Sequence, residues 1–255
     1  MAPQPLQEKG LMPSIEVLLP IGAAGFYLLD SILWLYGNEI VFYRDHKGWG
    51  YRAGTNWLLL RKSVYLPNPL TPHVPLWSVC WSEAPALRDL TELTNIGEGL
   101  QALWPIQASV LALLVLVVVG LPLVLLTAGQ GASLLWLFGV TYALDLFALV
   151  LMWTRRRALH LSSRACVALT VDALACPPFA INLVRKITLR QALKGDPVDL
   201  ARPVFDQKSM CSLFETLSRV VSKEIAAEEE GTPRHQHLVA YQQRLQDRGQ
   251  CLPSS

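Results

Sequence analysis

The chain has 255 residues, of which 52% are hydrophobic and 16% are charged, and its mean hydropathy is +0.31. Soluble domains carry about 25% charged residues, so this composition argues against an ordinary soluble domain and predicts an integral membrane protein with sizeable polar parts. The net charge of +2 is too small to favour nucleic acid as a partner, and the five cysteines form neither a CxxC nor a Cys/His zinc pattern, so we expect free thiols, no metal and no cofactor.

The first hydrophobic segment follows a short tail, residues 1–13, in which one acidic and one basic residue cancel. The apolar run after this tail has no cleavage site of a secretory signal. Residues 14–36 are the predicted first transmembrane helix, because an apolar stretch of about 20 residues crosses a bilayer. Pro20 and Asp30 interrupt the stretch, and a small-residue patch beginning at Gly22 would let another helix approach closely.

Residues 37–104 have the pattern of a small antiparallel sheet that ends in a helix. The strings EIVFYR and WGYRAG flank DHKG, a turn with a glycine available for positive φ. NWLLLRKSVYL predicts a third strand and LWSVCW a fourth, whereas PNPLTPHVP is too rich in proline for a central strand. Residues 85–104 predict the helix. We expect cross-strand pairing, rather than contact with lipid headgroups, for the basic and aromatic side chains of the hairpin, which are Arg44, Trp49, Tyr51 and Arg52.

Two long apolar segments follow, at residues 105–128 and 132–153. The first has no charge between Ile106 and Ala128, and the second has one, Asp145. Each is long enough to cross about 30 Å of hydrocarbon. A short Gly-Gln-Gly connection joins them, so the pattern predicts a tight transmembrane helical hairpin.

Arginines beyond the third predicted span set its orientation. Residues 155–157 are all arginine and Arg164 follows, whereas the Gly-Gln-Gly loop at the other end of the hairpin is uncharged. The positive-inside rule therefore places the end of this span in the cytoplasm of a plasma or inner membrane. Because a hairpin begins and ends on one side, residues 37–104 are predicted to be cytoplasmic as well.

Residues 158–195 are predicted to form an interfacial, basic helical segment. Pro177 and Pro178 break its apolar part, although residues 166–184 remain a possible fourth span. Residues 179–194 are amphipathic at helical spacing, which is typical of a helix lying in the headgroup region; packing as an ordinary cytoplasmic helix is the alternative. The candidates for contact with anionic lipid headgroups are Arg155, Arg156, Arg157, Arg185, Lys186 and Arg190.

Residues 196–250 predict cytoplasmic helices, and residues 251–255 a disordered tail. Ser209 is a possible N-cap of a helix with one apolar stripe. We expect this helix to pack on the small sheet, forming a composite α+β cytoplasmic domain from residues 37–104 and 155–250. Alternatively, the terminal helices bind a protein partner or a second copy of the chain. The stripe that would then dock a partner is Met210, Phe214, Leu217, Val221 and Ile225.

Ionisable residues inside predicted spans are candidates for function. Asp30 and Asp145 lie six and eight residues from the ends of their spans, or about 9 and 12 Å deep from the same face. The two carboxylates are therefore able to meet, and hydroxyls from Thr141 and Tyr142 are spaced to donate to Asp145. A proton or cation site is one interpretation, and pairing of each carboxylate with a neighbouring helix end or arginine is the other.

The sequence carries no P-loop, HExxH, GxSxG or kinase signature. We therefore expect a non-catalytic, multi-pass membrane protein that anchors a small cytoplasmic domain for docking a protein partner. A channel or transporter subunit using Asp30 and Asp145 is one alternative. A membrane-bound enzyme acting on a lipid-like substrate is the other, and it would need a polar cluster around His73, His160 and the cytoplasmic arginines.

Overall fold

A computed structural model of the chain describes residues 15–36, 38–46, 48–53, 58–59, 62–80, 91–127, 132–191 and 193–250. The predicted N-terminal and C-terminal tails, the loop between the two long apolar segments and the first residues of the predicted 85–104 helix lie outside this part of the chain.

The described residues are mostly helical. The helices are α1 (Ile15–Ser31), α2 (Thr91–Val115), α3 (Leu121–Thr127), α4 (Ala132–Thr154), α5 (Ser163–Ala175), α6 (Pro177–Ala180), α7 (Leu183–Leu189), α8 (Pro197–Ala201), α9 (Gln207–Ala227) and α10 (Pro233–Gln250). A π-helical turn, Leu116–Gly120, joins α2 to α3. The strands are β1 (Leu33–Leu35), β2 (Glu39–Asp45), β3 (Gly48–Ala53), β4 (Leu58–Leu59), β5 (Lys62–Tyr65), β6 (Leu76–Cys80) and β7 (Leu193–Lys194). The prediction of helices with a small antiparallel sheet is confirmed at this level.

The predicted hairpin is β2 and β3, which pair antiparallel from Ile40 with Ala53 to Asp45 with Gly48. Gly48 has a φ of +125°, a conformation that L side chains rarely adopt, which explains the glycine in the turn. Strand β6 pairs antiparallel with the other edge of β2. Strand β7 then adds in parallel to β6, so the sheet has the order β3-β2-β6-β7 and is mixed at one edge.

The first apolar helix is shorter than predicted. Helix α1 has 17 residues and ends at Ser31, and Leu33–Leu35 is a strand instead of the last turn of a span ending at residue 36. This strand pairs with β5, which pairs with β4, in a second small sheet. The predicted third strand of the hairpin sheet is therefore split in two and belongs to this other sheet. Pairing partners that are distant in sequence decided this outcome.

Two helical stretches of the described chain are long and apolar enough to cross a membrane. Gly99–Leu126 has 28 residues and a mean hydropathy of 3.0, and Ala132–Thr154 has 23 residues and a mean hydropathy of 2.1. They correspond to the predicted hairpin. The apolar part of α1, Leu18–Ser31, is shorter. At about 1.5 Å per residue, α1 extends about 26 Å, somewhat less than the hydrocarbon thickness of a bilayer.

The segment 166–184 is not one continuous helix. Helix α5 ends at Ala175, Cys176 has extended backbone, and α6 begins at Pro177. Proline at the first helical position cannot continue a preceding helix, since its ring and missing N–H break the hydrogen-bond ladder. The possible fourth span is therefore replaced by short helices that turn back, and helix α7 packs inward with five of its seven residues buried.

Two main cores hold the molecule together. The first joins α2, α4, α5 and α7 around Ile106, Met152 and Leu183. The second joins the mixed sheet to the C-terminal helices, with Phe42 and Trp77 among the side chains packed against Leu217. The hydroxyl groups of Tyr51 and Ser212 lie 2.7 Å apart across this contact. Helix α9 begins one turn before the predicted position, since Asp206 rather than Ser209 is its N-cap.

Candidate functional site

A cavity of about 730 Å³ lies where the hairpin, the proline-rich segment, α2 and α7 meet. Ligand sites in proteins commonly have volumes of about 300 to 1,000 Å³. Its lining combines basic, aromatic and hydroxyl side chains from elements far apart in the chain. The polar side chains among them are Tyr43, Arg44, Asp45, His46, Arg52, Tyr65, Asn68, Thr71, His73, Gln107 and Arg185.

Arg185 is the buried cation of this cavity. Only 3% of the residue is exposed. Its Nη2 donates to the carbonyl oxygens of Asn68 at 2.6 Å and Thr71 at 2.8 Å. Its Nη1 lies 3.5 Å from the side-chain oxygen of Asn182, and its buried Nε has no hydrogen-bond partner among the described residues. These partners are neutral oxygens, and no ion pair involving Arg185 occurs within the described chain.

The environment of Arg185 favours an anion. Burying an unpaired charge is costly, and buried charges in proteins are normally paired. Burial lowers the pKa of Arg185, opposed by the nearby Tyr27 and Tyr65. A guanidinium nevertheless stays protonated in proteins, so the positive charge persists. The cavity therefore has a fixed cation with an unused donor, and a phosphate, sulfate or carboxylate would supply the missing negative charge.

The opposite wall adds further cations. Arg52 and Arg44 come from the hairpin, where Arg44 pairs directly across from Trp49 and its guanidinium lies 5.7 Å from the ring centroid. The cross-strand pairing predicted for these two residues is confirmed. Burial raises the pKa of the Tyr65 hydroxyl against the opposing charge of Arg52, so Tyr65 stays a neutral donor. Asp45 also lines the cavity, which therefore contains three arginines and one aspartate.

His73 contributes a neutral imidazole to the same cavity. Its Nδ1 is buried without a hydrogen-bond partner among the described residues. Burial, and then the charge of Arg185, lower the pKa of His73 below its usual 6.5. Its backbone carbonyl accepts a hydrogen bond of 3.0 Å from Gln107, which fixes the proline-rich segment against α2. His46 lies in the lining too, yet no three His, Cys, Asp or Glu side chains of the described chain converge on a possible metal site.

The predicted intramembrane carboxylate Asp30 lies at the end of α1 and is paired. Its Oδ1 lies 2.8 Å from Nζ of Lys186, which also contacts Asp172 at 2.5 Å. Its Oδ2 accepts a hydrogen bond of 3.0 Å from Asn182. Because α1 ends one residue later, Asp30 is a helix-end residue rather than one about 9 Å inside a span. This cluster fastens α1 to α5 and α7.

Asp145 has the opposite surroundings. It is fully buried in α4, and neither carboxylate oxygen has a hydrogen-bond partner among the described residues. The two aspartates are therefore not hydrogen-bonded to each other. Thr141, predicted to donate to Asp145, instead donates to the Leu137 carbonyl at 2.8 Å. Tyr142 is 39% exposed on the outer surface of the helix.

The six predicted headgroup contacts divide into two groups. Arg185 and Lys186 are engaged inside the protein, as described above, because other elements cover the polar side of α7. Contact of these two residues with lipid headgroups stays a prediction. Arg157 and Arg190 are exposed, and Arg155 and Arg156 are half-buried, donating to the Ala102 carbonyl and to Ser163 respectively.

The predicted docking stripe forms part of the second core. Met210, Phe214, Leu217 and Val221 are buried against the sheet and α10, and Ile225 is half-buried beside them. This arrangement agrees with the predicted packing of the helix on the sheet. Docking of a partner through the same stripe stays a prediction, and it would require these side chains to leave the core.

Sequence reasoning missed the cavity. It grouped His73 with His160 and the cytoplasmic arginines, and it assigned Arg185 to the lipid surface. The available signal was a segment with two histidines, three arginines and three tyrosines within residues 43–73. Comparison of the chain with protein families, with curated proteins and with solved structures finds no match. The function is therefore argued from the geometry of the cavity.

Proposed function

We propose that this chain is a multi-pass membrane protein with a non-catalytic, accessory role, whose basic cavity binds an anionic ligand at the cytoplasmic face. One observation carries the proposal. Arg185 is buried, has only neutral oxygen partners in the described chain and lines a cavity that Arg44 and Arg52 also line. Guanidinium groups form strong, charge-assisted hydrogen bonds with phosphate and sulfate.

The distribution of exposed apolar side chains supports a membrane setting. Large hydrophobic side chains exposed by a third or more occur along α1, from α2 to α4, and on α5, where Leu29, Leu126 and Val171 are 67%, 85% and 63% exposed. Beyond Leu174, none occurs in the described part of the chain. An exposed apolar surface of this extent is typical of contact with lipid or another protein. The C-terminal helices, by contrast, have the surface of a domain in water.

The cytoplasmic orientation depends on the arginines after α4 and is tested by thiol labelling. Cys80 is a poor reporter, since it is half-buried, donates to Glu39, and burial raises its pKa to about 11. Cys211 is exposed on α9. A variant keeping only Cys211 should react with a membrane-impermeant thiol reagent in opened cells and not in intact ones. Labelling in intact cells would reverse the orientation and place the cavity outside.

The cavity favours binding over catalysis. Thr71 is the hydroxyl nearest in sequence to His73, and it donates to the Asn68 carbonyl at 3.2 Å rather than to the imidazole. No pair of nucleophile and base is hydrogen-bonded within the described lining of the cavity. An enzyme acting on a lipid-like substrate is the second candidate, because Nδ1 of His73 is buried without a partner in the described chain. Turnover of a bound phosphate ester that stops in His73→Gln would favour the enzyme.

The binding proposal is tested with sulfate and inorganic phosphate on the full chain in detergent, with chloride held at equal ionic strength. Arg185→Gln should weaken binding at least about tenfold, since charge-assisted hydrogen bonds contribute about 1.5 to 3 kcal/mol each. Arg190→Gln is the matched control, because Arg190 lies one turn later, outside the cavity and exposed. Arg52→Gln is a second test away from the core. Equal affinities in all four proteins would overturn the proposal.

A further inference from the structure

One exposed apolar side chain lines the basic cavity, and two more are sequence neighbours of its lining residues. Leu66 and Leu70 lie in the proline-rich segment, beside the lining residues Pro67, Asn68 and Thr71, and are 47% and 69% exposed. Trp104, itself part of the lining, is 71% exposed on α2. We call Leu66, Leu70 and Trp104 the apolar rim. Exposed leucines next to a buried arginine indicate a ligand with a charged end and a hydrocarbon end.

The apolar rim lies at the level where the long apolar helices begin. Residues 66–75 are fastened to the shorter helix α1 and to the first long apolar helix: Tyr27 of α1 donates to the Pro69 carbonyl, and Gln107 of α2 donates to the His73 carbonyl. Gln107 is the second residue of the uncharged stretch that begins at Ile106. Tryptophan at this position, as at Trp104, is typical of the boundary between headgroups and hydrocarbon.

The charged lining contacts the segment that carries Leu66 and Leu70. Arg185 donates to the carbonyls of Asn68 and Thr71, so the segment that carries Leu70 also holds the buried guanidinium in place. Arg52 and Tyr65 provide two further donors from the sheets. A phosphate reaching these groups with its acyl chains on the rim would satisfy both halves of the site at once.

We infer that the ligand of the cavity is a phosphate-bearing membrane lipid with net negative charge, whose headgroup enters sideways from the bilayer and binds Arg185 while its first acyl carbons contact the apolar rim. This inference rests on the proposed function and names the class of its ligand. A water-soluble phosphate ester shares the headgroup chemistry and lacks only the hydrocarbon. The apolar rim therefore contributes to the affinity for the lipid and not to the affinity for the soluble phosphate ester.

The test compares three probes on the full chain in detergent: dioctanoyl phosphatidic acid, glycerol 3-phosphate, which is its headgroup without chains, and dioctanoyl phosphatidylcholine for unspecific partitioning. Each is measured against the unaltered chain, Leu70→Ser and Arg185→Gln. Thermal unfolding of each variant, without probe, shows that the fold is retained. Phe147→Ser is the matched control for the loss of an exposed apolar side chain, since Phe147 is 55% exposed on α4 outside the cavity.

We expect phosphatidic acid to bind at least tenfold more tightly than glycerol 3-phosphate. Leu70→Ser should reduce this preference several-fold and leave glycerol 3-phosphate binding unchanged, whereas Arg185→Gln should weaken both. Phe147→Ser should change neither.

Equal affinity for phosphatidic acid and glycerol 3-phosphate, with no effect of Leu70→Ser, would overturn the inference of a lipid ligand and leave a soluble anion as the ligand. Equal binding of phosphatidylcholine and phosphatidic acid would overturn it too, since the net negative charge of the headgroup would then play no part. Failure of every phosphate to bind would overturn the proposed function itself.

Discussion

Helix α7 carries two adjacent cations that meet opposite environments. Lys186 lies between the carboxylates of Asp30 and Asp172, at 2.8 and 2.5 Å. Arg185 points to the other side, where its partners are neutral oxygens and a cavity begins. In the sequence both looked like one basic surface. The comparison teaches that a cation paired with carboxylates stabilises the fold, whereas a buried cation without a carboxylate partner is available to an anionic ligand.

The largest expected effect is on the paired side. Lys186→Met should lower the free energy of unfolding by about 2 to 3 kcal/mol, because it leaves Asp30 without its cation in a mostly buried site. Denaturant unfolding in detergent measures this loss. Adding Asp30→Asn to Lys186→Met should recover part of it, since the unpaired charge is then gone. Sulfate affinity should be unchanged, and a loss as small as that of an exposed pair, below about 0.5 kcal/mol, would contradict the comparison.

On the cavity side, Arg185→Lys should weaken sulfate binding about tenfold without abolishing it. Lysine keeps the charge but has no planar group that bonds to the carbonyls of Asn68 and Thr71 and still offers a further N–H donor. Titration calorimetry on the full chain measures the change. An affinity equal to that of the unaltered chain would mean that charge alone attracts the anion. The same substitution at position 190 should have no effect, which separates the cavity from the general basic character of α7.

A third prediction concerns pH. The pKa of His73 is lowered by burial and by Arg185, so the imidazole is neutral in the empty cavity. A bound anion favours the protonated form, and binding then takes up a proton. Sulfate affinity should therefore rise about three- to tenfold as the pH falls from about 7.5 to 5.5. His73→Gln should remove this dependence.

Other groups near His73 set the controls for that measurement. Arg185 stays protonated and Tyr65 stays neutral across this range, and sulfate keeps its charge. His46 also lines the cavity, so His46→Gln tests whether the second histidine carries the effect. The pKa of His73 is lower in the folded chain than in the unfolded chain. Its contribution to the free energy of unfolding is therefore full above about pH 6.5 and declines as the pH falls below that value. A flat affinity profile in the unaltered chain would remove His73 from the site.

The smallest effect is expected at Asp145, a buried carboxyl group without a hydrogen-bond partner in the described chain. Asp145→Leu should leave the free energy of unfolding unchanged or raise it by about 1 kcal/mol, since it removes a carboxylate with no hydrogen-bond partner in the described chain. Thermal unfolding measures the difference. A loss of stability beyond this size, or a loss of ion flux in reconstituted protein, would show that Asp145 has a partner in the membrane and would favour the channel alternative.

Local patterns predicted local structure well. The glycine of the DHKG turn between two strand-like strings predicted the β2–β3 hairpin, in which Asp45 lies opposite Gly48. The apolar stripe of α9 predicted its packing on the sheet. Both succeed because the pairing partner is near in sequence or the burial periodicity is strong. The predicted C-terminal end of the first span was wrong, since the strand Leu33–Leu35 pairs with residues some thirty positions later.

The candidate site was hidden for the same reason. Arg185 reaches Asn68 and Thr71 across separations of 117 and 114 residues. Helical periodicity showed that α7 has a polar side and gave no information about what covers it. The pattern was consistent with contact between this polar side and lipid headgroups. In the structure, Arg185 contacts the proline-rich segment and Lys186 contacts an aspartate at the end of α1.

By itself, the sequence determined that two long apolar helices form, that a β-hairpin precedes them and that an amphipathic helix follows, because composition and periodicity act over a few residues. Only the tertiary structure decided which polar side chains are satisfied. Lys186 is paired with two carboxylates, and Asp145 has no hydrogen-bond partner within the described chain. Arg185 donates to two carbonyls and lines a cavity. The physical reason is that the cost of burying a charge depends on groups brought together from distant parts of the chain.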